Sequence, residues 1–433
     1  MTYRTLGTAT HHGMTAADLE FLVPLDHAEP GGEKLSVFAR SIVDADKPDA
    51  GHPWLVFLQG GPGSAGPRPS SRSGWLKRAL QEYRVLLLDS RGNGRSSVVL
   101  PQTLARRGDA RAQAAYLSHF RADAIVKDCE VIRRELAGPD HKWSVLGQSY
   151  GGFCAVQYLS AHPEGLREAF IAGGLPPLTA SADDYYRATY PVVRSKTRKF
   201  FARYPRDEAL AAQIMEHLHA RDVRLPTGGR LTVRRFQQSG FLLGFDEGME
   251  ALHYLLELAF CEGVRGAELS LPFLRDFENS QPFETHPIFA VLHEMCYTQQ
   301  AASRWSAHRI REEFPETNWA PGRPPAFTGE MIYPWMFDEY ESLVPLREVA
   351  QVLAEQTSWP ALYDPARLAE NDVPTAAVIY ADDMYVPRVH SEPTAEAIRG
   401  MKAWITNEYE HNGLRTDGER VFGRLLDLVR NRA

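Results

Sequence analysis

Cysteine is scarce in this sequence. The 433 residues include four cysteines (Cys129, Cys154, Cys261 and Cys296), with neither a C-x-x-C pair nor the Cys/His spacing of a zinc site. This scarcity argues against a disulfide framework and against a structural metal. We therefore expect reduced, mostly buried thiols.

Long apolar runs and an excess of basic charge are also missing. No stretch approaches the roughly 20 apolar residues that span a bilayer, and residues 1–14 lack the basic start and apolar run of a signal peptide, so no membrane partner and a cytoplasmic location are expected. The net charge is −7 and the pI is near 6.1, with the arginines dispersed, so nucleic-acid binding is not expected. The sequence carries no signal for the oligomeric state.

Short apolar runs alternate with helical patterns along the chain. The runs at residues 54–58, 85–88, 144–146, 169–172 and 376–380 are typical of buried strands. Alternation of this kind predicts an α/β fold with a mainly parallel central sheet. Upstream, residues 19–25 and 35–43 read as a half-buried antiparallel pair that leads into the sheet.

The pattern changes after residue 174. About 200 residues carry little buried-strand signal, far more than an ordinary loop, and Leu252, Leu255, Leu256 and Ala259 share one helical face. We predict a mostly helical insertion at 179–365, which we call the cap. The α/β core would then comprise residues 1–178 and 366–433, the latter ending in an amphipathic helix at about 417–429.

One motif carries the chemistry. Gly-Gln-Ser-Tyr-Gly at 147–151 fits G-x-S-x-G, and it lies between a predicted strand and a helical run at 153–162. The alternative, a chance glycine/serine turn, does not account for this strand-to-helix context. Ser149 is therefore predicted to be a nucleophile held on a sharp turn at the carboxyl edge of the sheet.

A second glycine cluster, Gln-Gly-Gly-Pro-Gly at 59–63, follows an early strand. A loop in this position aims a backbone N–H at a developing oxyanion, together with the N–H of the residue after the nucleophile, here Tyr150. We assign the first role to Gly61, with Gly60 as the alternative; a plain glycine turn is the structural alternative. The segment 89–96 is expected to pack beside this loop as an architectural element.

A serine nucleophile needs a histidine base and a carboxylate to orient it, and in this fold they follow in the order Ser, Asp, His. The strand end at residues 378–384 offers Asp382 and Asp383, of which only one can face the base because neighbours on an extended run point to opposite sides. Beyond it only His390 and His411 remain. His390 lies too close in sequence to reach the next loop, so His411 is predicted to be the base.

These motifs together resemble the prolyl aminopeptidases, also called proline iminopeptidases, which are α/β-hydrolase serine peptidases. The resemblance rests on the glycine-rich, arginine-rich, serine and aspartate segments at residues 59–63, 89–96, 147–152 and 382–386. The length and the large cap are similar to the longer bacterial subgroup. Gln59 stands where many members have histidine. The family's aspartate precedes a residue such as Met384, so the resemblance favours Asp383, and His411 occupies the family's histidine position.

The resemblance implies a serine exopeptidase that releases N-terminal proline from small peptides through an acyl-enzyme, with no metal or organic cofactor. It also implies a cap glutamate for the substrate amine, either Glu294 or, as second candidate, Glu330, and aromatic residues such as Tyr297 and Trp335 around the proline ring. Two other functions stay open: an esterase or amidase acting on another acyl group, and a non-catalytic binding protein. The complete Ser, Asp and His set disfavours the latter.

Overall fold

The computed structural model describes residues 3–47, 51–264 and 266–432, so Met1 and Thr2, at the start of the segment searched for a signal peptide, lie outside it. Within these ranges the chain forms a nine-stranded sheet and two short ribbons. The strands are β1 (Tyr3–His11), β2 (Met14–Pro24), β3 (Lys34–Asp44), β4 (Trp54–Leu58), β5 (Arg84–Leu88), β6 (Trp143–Gln148), β7 (Leu166–Ala172), β8 (Val223–Arg224), β9 (Arg230–Leu231), β10 (Phe260–Gly263), β11 (Gly266–Leu269), β12 (Thr375–Tyr380) and β13 (Lys402–Thr406).

The large sheet has the order β1-β2-β3-β5-β4-β6-β7-β12-β13. The strands β1, β2 and β3 pair antiparallel, as do β3 and β5. From β5 to β13 every pairing is parallel. The carboxyl ends of β4, β6, β12 and β13 therefore meet at one edge, which is where ligand sites of open α/β sheets are found.

Helices cover both faces of this sheet. The helices of the two core segments are α1 (Gly74–Ala79), α2 (Pro101–Leu104), α3 (Ala110–Leu117), α4 (Ala122–Leu136), α5 (Tyr150–Ala161), α15 (Pro365–Ala369), α16 (Arg388–Ala397), α17 (Gly413–Thr416) and α18 (Gly418–Val429). On one face, α1 and α18 pack against apolar side chains of β4, β5 and β7, and on the other α4 and α5 pack against β6 and β7.

The segment between β7 and β12 is mainly helical. Its helices are α6 (Ala182–Arg203), α7 (Pro205–Ala220), α8 (Val233–Gln237), α9 (Gly248–Glu257), α10 (Leu271–Asn279), α11 (Pro287–Leu292), α12 (Ser306–Ile310), α13 (Met336–Glu339) and α14 (Arg347–Glu355). The antiparallel ribbons β8/β9 and β10/β11 also lie here. This content agrees with an inserted cap, and we retain the boundaries 1–178, 179–365 and 366–433 as a proposal.

The prediction of an α/β fold with a mainly parallel sheet is confirmed. The buried runs chosen from the sequence all lie in β4, β5, β6, β7 and β12, because fully buried parallel strands are continuous in apolar residues. The strand β1 was missed. After Tyr3 all of its residues are exposed, so it carries no burial pattern.

The cysteines and the helix lengths bear on what the composition predicts. Cys129, Cys154 and Cys296 are buried free thiols, whereas Cys261 is exposed. Across the described ranges, none of the helices has the length and apolarity needed to cross a bilayer.

Candidate active site

Ser149 joins β6 to α5 with φ 54° and ψ −126°, a backbone conformation that residues other than glycine rarely adopt. The surrounding packing imposes it. A Cβ on Gly151 would lie 1.9 Å from the Leu58 carbonyl oxygen, and one on Gly147 would lie 2.2 Å from the Gly151 oxygen. Glycine is therefore required on both sides of the serine, which is the geometry of a nucleophile elbow.

The glycine loop after β4 lies directly beside this serine. A Cβ built on Gly60 would come within 2.9 Å of the Ser149 Cβ and 3.4 Å of its Oγ. Tyr150 is the first residue of α5, so its N–H has no carbonyl partner within the helix. Backbone N–H groups of this loop and of Tyr150 are thus available on the side of the sheet where the serine oxygen lies.

The segment 89–96 contacts the chain that follows the glycine cluster at 59–63. Asp89 is fully buried and accepts hydrogen bonds of 2.9 Å from the N–H groups of Gly66 and Arg95. Its carboxylate also binds the Arg68 guanidinium through two nitrogens. These contacts tie the end of β5 to the chain that follows the glycine cluster.

Asp383 and His411 form a buried pair at the edge of the sheet. Asp383 Oδ2 lies 2.7 Å from His411 Nδ1, while Oδ1 accepts from the N–H groups of Tyr385 at 2.8 Å and Val386 at 3.0 Å. Both side chains are at most 8% exposed. The carboxylate is thereby oriented on the imidazole, and a carboxylate beside Nδ1 favours the tautomer that carries its proton there and leaves Nε2 as the acceptor.

Asp382 points the other way. Its Oδ2 lies 2.6 Å from Lys199 Nζ on α6, with both side chains half exposed. The hydrogen bond from Lys199 lowers the pKa of this carboxyl below its usual range. The alternation along the strand end thus separates two adjacent carboxylates into a surface ion pair and a buried partner of His411.

The loop that carries His411 is fixed by the cap. The backbone N–H of His411 donates to the Gly244 carbonyl at 3.1 Å. The ring of Tyr385 stands edge-on to the imidazole, with the ring centroids 4.8 Å apart. His390, the alternative base, lies on α16 with its Nε2 3.4 Å from the Asp184 carbonyl. It contributes nothing to the wall of the cavity around Ser149.

A cavity of about 170 Å³ brings the predicted residues together. Its wall includes Ser149, His411, Gly60, Gly61 and Glu330. Burial and the nearby Asp383 raise the pKa of Glu330 well above its usual range. Among the described residues, the Glu330 carboxylate has no hydrogen-bond donor or cation as a partner, so a cationic ligand group would meet an uncommitted carboxylate there.

Glu294, the other nominated carboxylate, is committed elsewhere. Its oxygens accept from the N–H groups of Ala307 at 2.9 Å and Ser306 at 3.1 Å at the start of α12, and it does not line the cavity. Burial raises the pKa of Glu294 to about 6, although these N–H groups and the Ser303 hydroxyl oppose the shift. The structure thus places Glu330, and not Glu294, on the wall of the cavity that contains Ser149.

The aromatic residues expected around the proline ring lie outside the cavity. Tyr297 stacks on Tyr185 with ring centroids 3.8 Å apart, and Trp335 stacks on Tyr333 at 5.5 Å. The aromatic side chains that line the cavity are Phe241, Phe245, Phe289 and Tyr385. Tyr385 could have been chosen from its place two residues after Asp383, but the three cap phenylalanines carry no sequence signal that distinguishes them.

The sheet order, the elbow serine and the buried Asp383–His411 pair define this protein as an α/β hydrolase. In agreement, residues 53–259 match the family described as alpha/beta hydrolase fold. The chain is 52% identical over 412 residues to a proline iminopeptidase of Aeromonas sobria, covering 95% of this chain and 96% of that protein. It is 35% identical over 425 residues to proline iminopeptidase aneH of Aspergillus aculeatus, covering 96% and 94%. The chain belongs to the proline iminopeptidase family.

A solved structure can be set beside these relatives. The crystal structure of a proline iminopeptidase from Mycobacterium smegmatis aligns with a TM-score of 0.47 at 14% identity, covering 95% of this chain and 98% of that one.

Proposed function

We propose that this protein is a serine exopeptidase that releases N-terminal proline from small peptides through an acyl-enzyme intermediate. The observation that carries the proposal is one cavity whose wall includes Ser149 on its strained turn, His411 paired with Asp383 behind it, and the uncommitted carboxylate of Glu330. Ser149, His411 and Asp383 are the groups that acyl transfer requires, and Glu330 is the group that recognition of a free amine requires.

The chemistry follows from the orientation of the imidazole. His411 Nε2 takes the proton of the Ser149 hydroxyl as its oxygen attacks the prolyl carbonyl carbon, and Asp383 stabilises the imidazolium that forms. The N–H groups of Gly61 and Tyr150 stabilise the negative oxygen of the tetrahedral intermediate. His411 then gives its proton to the leaving amine. In the second half, His411 takes a proton from water as the water oxygen attacks the acyl carbon, and it returns that proton to the Ser149 oxygen as proline is released.

The substrate end is read through charge. A peptide that begins with proline carries a secondary ammonium directly beside the scissile carbonyl, and a buried cation without a partner is costly. Glu330 supplies the opposite charge on the cavity wall, while Phe241, Phe245 and Tyr385 offer apolar surface for the pyrrolidine ring. An N-blocked substrate would leave Glu330 without its partner.

The surroundings of the protein are part of the same proposal. The four cysteines, all within the described ranges, are free thiols, and three of them are buried. This supports a reducing compartment, so we propose a cytoplasmic enzyme acting on small peptides. The chemistry assigned to Ser149, His411 and Asp383 requires no metal or organic cofactor.

The test compares three substrates on the purified protein: proline p-nitroanilide, its N-acetyl analogue and p-nitrophenyl acetate. We expect kcat/KM for the free amine to exceed that for the N-acetyl analogue by about 100-fold or more, since charge-assisted recognition of the amine is lost with the block. Comparable rates on the free and blocked anilides would contradict an exopeptidase. Turnover of the ester alone would favour an esterase on this scaffold.

A further inference from the structure

The cavity around Ser149 is small for a peptide substrate. Its volume of about 170 Å³ falls below the range of about 300–1,000 Å³ usual for ligand pockets. A second cavity of about 650 Å³ adjoins it, and both are lined by Gln59, Gln148 and Arg415. The three shared lining residues place the second cavity directly beside the first, where it is the nearest space for the residues that follow the scissile bond.

The two cavities differ in their charged side chains, although Arg415 lines both. Glu330 lies on the wall of the first, whereas the described lining of the second contains two arginines, Arg68 and Arg415, and no acidic side chain. Asp89 neutralises Arg68 through two guanidinium nitrogens, so this arginine is committed to the fold. Positive charge available to a ligand therefore comes from Arg415.

Arg415 is only weakly engaged within the protein. Its side chain is 63% exposed, its guanidinium lies 5.3 Å from the centre of the Phe245 ring, and one nitrogen donates to the equally exposed Glu247 at 3.3 Å. Exposed ion pairs of this kind contribute little to stability. A guanidinium has five donors in a rigid fork, so most of them stay available for a carboxylate.

We infer that Arg415 binds the C-terminal carboxylate of short peptide substrates, whose residues after proline occupy the second cavity. The inference rests on the proposed function and names its substrate class: zwitterionic peptides of a few residues, with the ammonium at Glu330 and the carboxylate at Arg415. A longer or amidated peptide makes the first contact and not the second, so Arg415 determines specificity on the leaving-group side.

The experiment measures kcat/KM for Pro-Gly, Pro-Gly-Gly and Pro-Gly-Gly-Gly, each as the free acid and as the C-terminal amide. Because Arg415 is anchored on α17, its guanidinium reaches a limited span. The acid should therefore be preferred most at one chain length, by about fivefold, which corresponds to about 1 kcal/mol and is the upper end for an exposed ion pair. Arg415→Gln should reduce this acid-over-amide ratio to about one. Arg420→Gln is the matched control, since Arg420 is 55% exposed on α18 and lines neither cavity.

A second measurement needs no variant. In the unmodified protein the ratio should shrink as salt rises from about 0.05 M to about 0.5 M, because exposed charges are screened over a shorter distance. A ratio near one at every length, or a ratio that survives Arg415→Gln, overturns the inference while turnover of proline p-nitroanilide leaves the proposed function standing. Absence of turnover on every proline substrate overturns both.

Discussion

Lys196 of α6 forms a partly buried ion pair with Glu410, the residue that directly precedes His411. The lysine side chain is 2% exposed and the glutamate side chain 25%. Burial raises the pKa of Glu410, while the Lys196 ammonium opposes that shift. One turn further along α6, Lys199 pairs with Asp382, the residue that directly precedes Asp383. A single cap helix is thus ion-paired beside both members of the Asp383–His411 pair.

Removing one partner of this ion pair should destabilise the protein more than removing both. Lys196→Met leaves the Glu410 carboxylate partly buried and near Asp383, so the free energy of unfolding should fall by about 2 kcal/mol or more, toward the roughly 3–5 kcal/mol of fully buried pairs. The double variant Lys196→Met/Glu410→Gln should recover most of the loss. Denaturant unfolding of the three proteins measures this, and a double variant as unstable as the single one would contradict it.

The two adjacent aspartates provide a matched pair of variants. Asp383→Asn removes the acceptor that fixes the His411 tautomer and should lower kcat by about 10³- to 10⁴-fold. Asp382→Asn makes the same chemical change in a half-exposed ion pair and should alter kcat by less than about threefold. Steady-state kinetics on proline p-nitroanilide separates them. The reverse ranking would transfer the orienting role to Asp382.

The two cap glutamates provide a second matched pair of variants. Glu330→Gln keeps the size and removes the charge, so kcat/KM for proline p-nitroanilide should fall by about one to two orders of magnitude, from about 1.5–3 kcal/mol for a charge-assisted hydrogen bond. Reaction with p-nitrophenyl acetate, which lacks an amine, should change far less.

Glu294→Gln is the control for that experiment. Because the Glu294 carboxylate accepts from the start of α12, its loss should affect anilide and ester equally, through the packing of the cap. A selective loss of the anilide reaction in Glu294→Gln, with Glu330→Gln unaffected, would return the amine site to Glu294.

Stability should depend on pH through Glu330. Burial and Asp383 raise the pKa of its carboxyl in the folded protein, so the folded state binds this proton more tightly than the unfolded chain. Between the ordinary pKa of glutamate, about 4.3, and the raised folded value, the free energy of unfolding therefore falls as pH rises. The Tm of Glu330→Gln should exceed that of the unmodified protein at about pH 8 and match it at about pH 4. A lower Tm at both pH values would show that the carboxylate stabilises the fold.

Much of this structure could be predicted from local patterns in the sequence. The buried parallel strands were recognisable because both of their faces are covered, whereas β1 was not, since nearly all of it faces solvent. Ser149 follows from a motif whose glycines are required by contacts within a few residues and with β4. His411 follows from chain order, which the connectivity of the sheet imposes.

The amine site depends on contacts that no local pattern records. Glu294 and Glu330 lie in the same cap. The packing of the cap onto the edge of the sheet places Glu330 in the cavity with Ser149 and Glu294 at the start of α12. The phenylalanines of the cavity are likewise selected by long-range packing. For the same reason Arg415, which follows His411 by four residues, reads in the sequence as an ordinary surface charge.

The most direct test of the proposed mechanism removes the nucleophilic oxygen. Ser149→Ala removes only the hydroxyl oxygen and should leave the unfolding transition intact, while kcat on proline p-nitroanilide falls by about 10⁴- to 10⁶-fold. A fluorophosphonate probe should label the unmodified protein and fail to label the variant. Near-normal turnover by a folded Ser149→Ala protein would contradict the account as a whole.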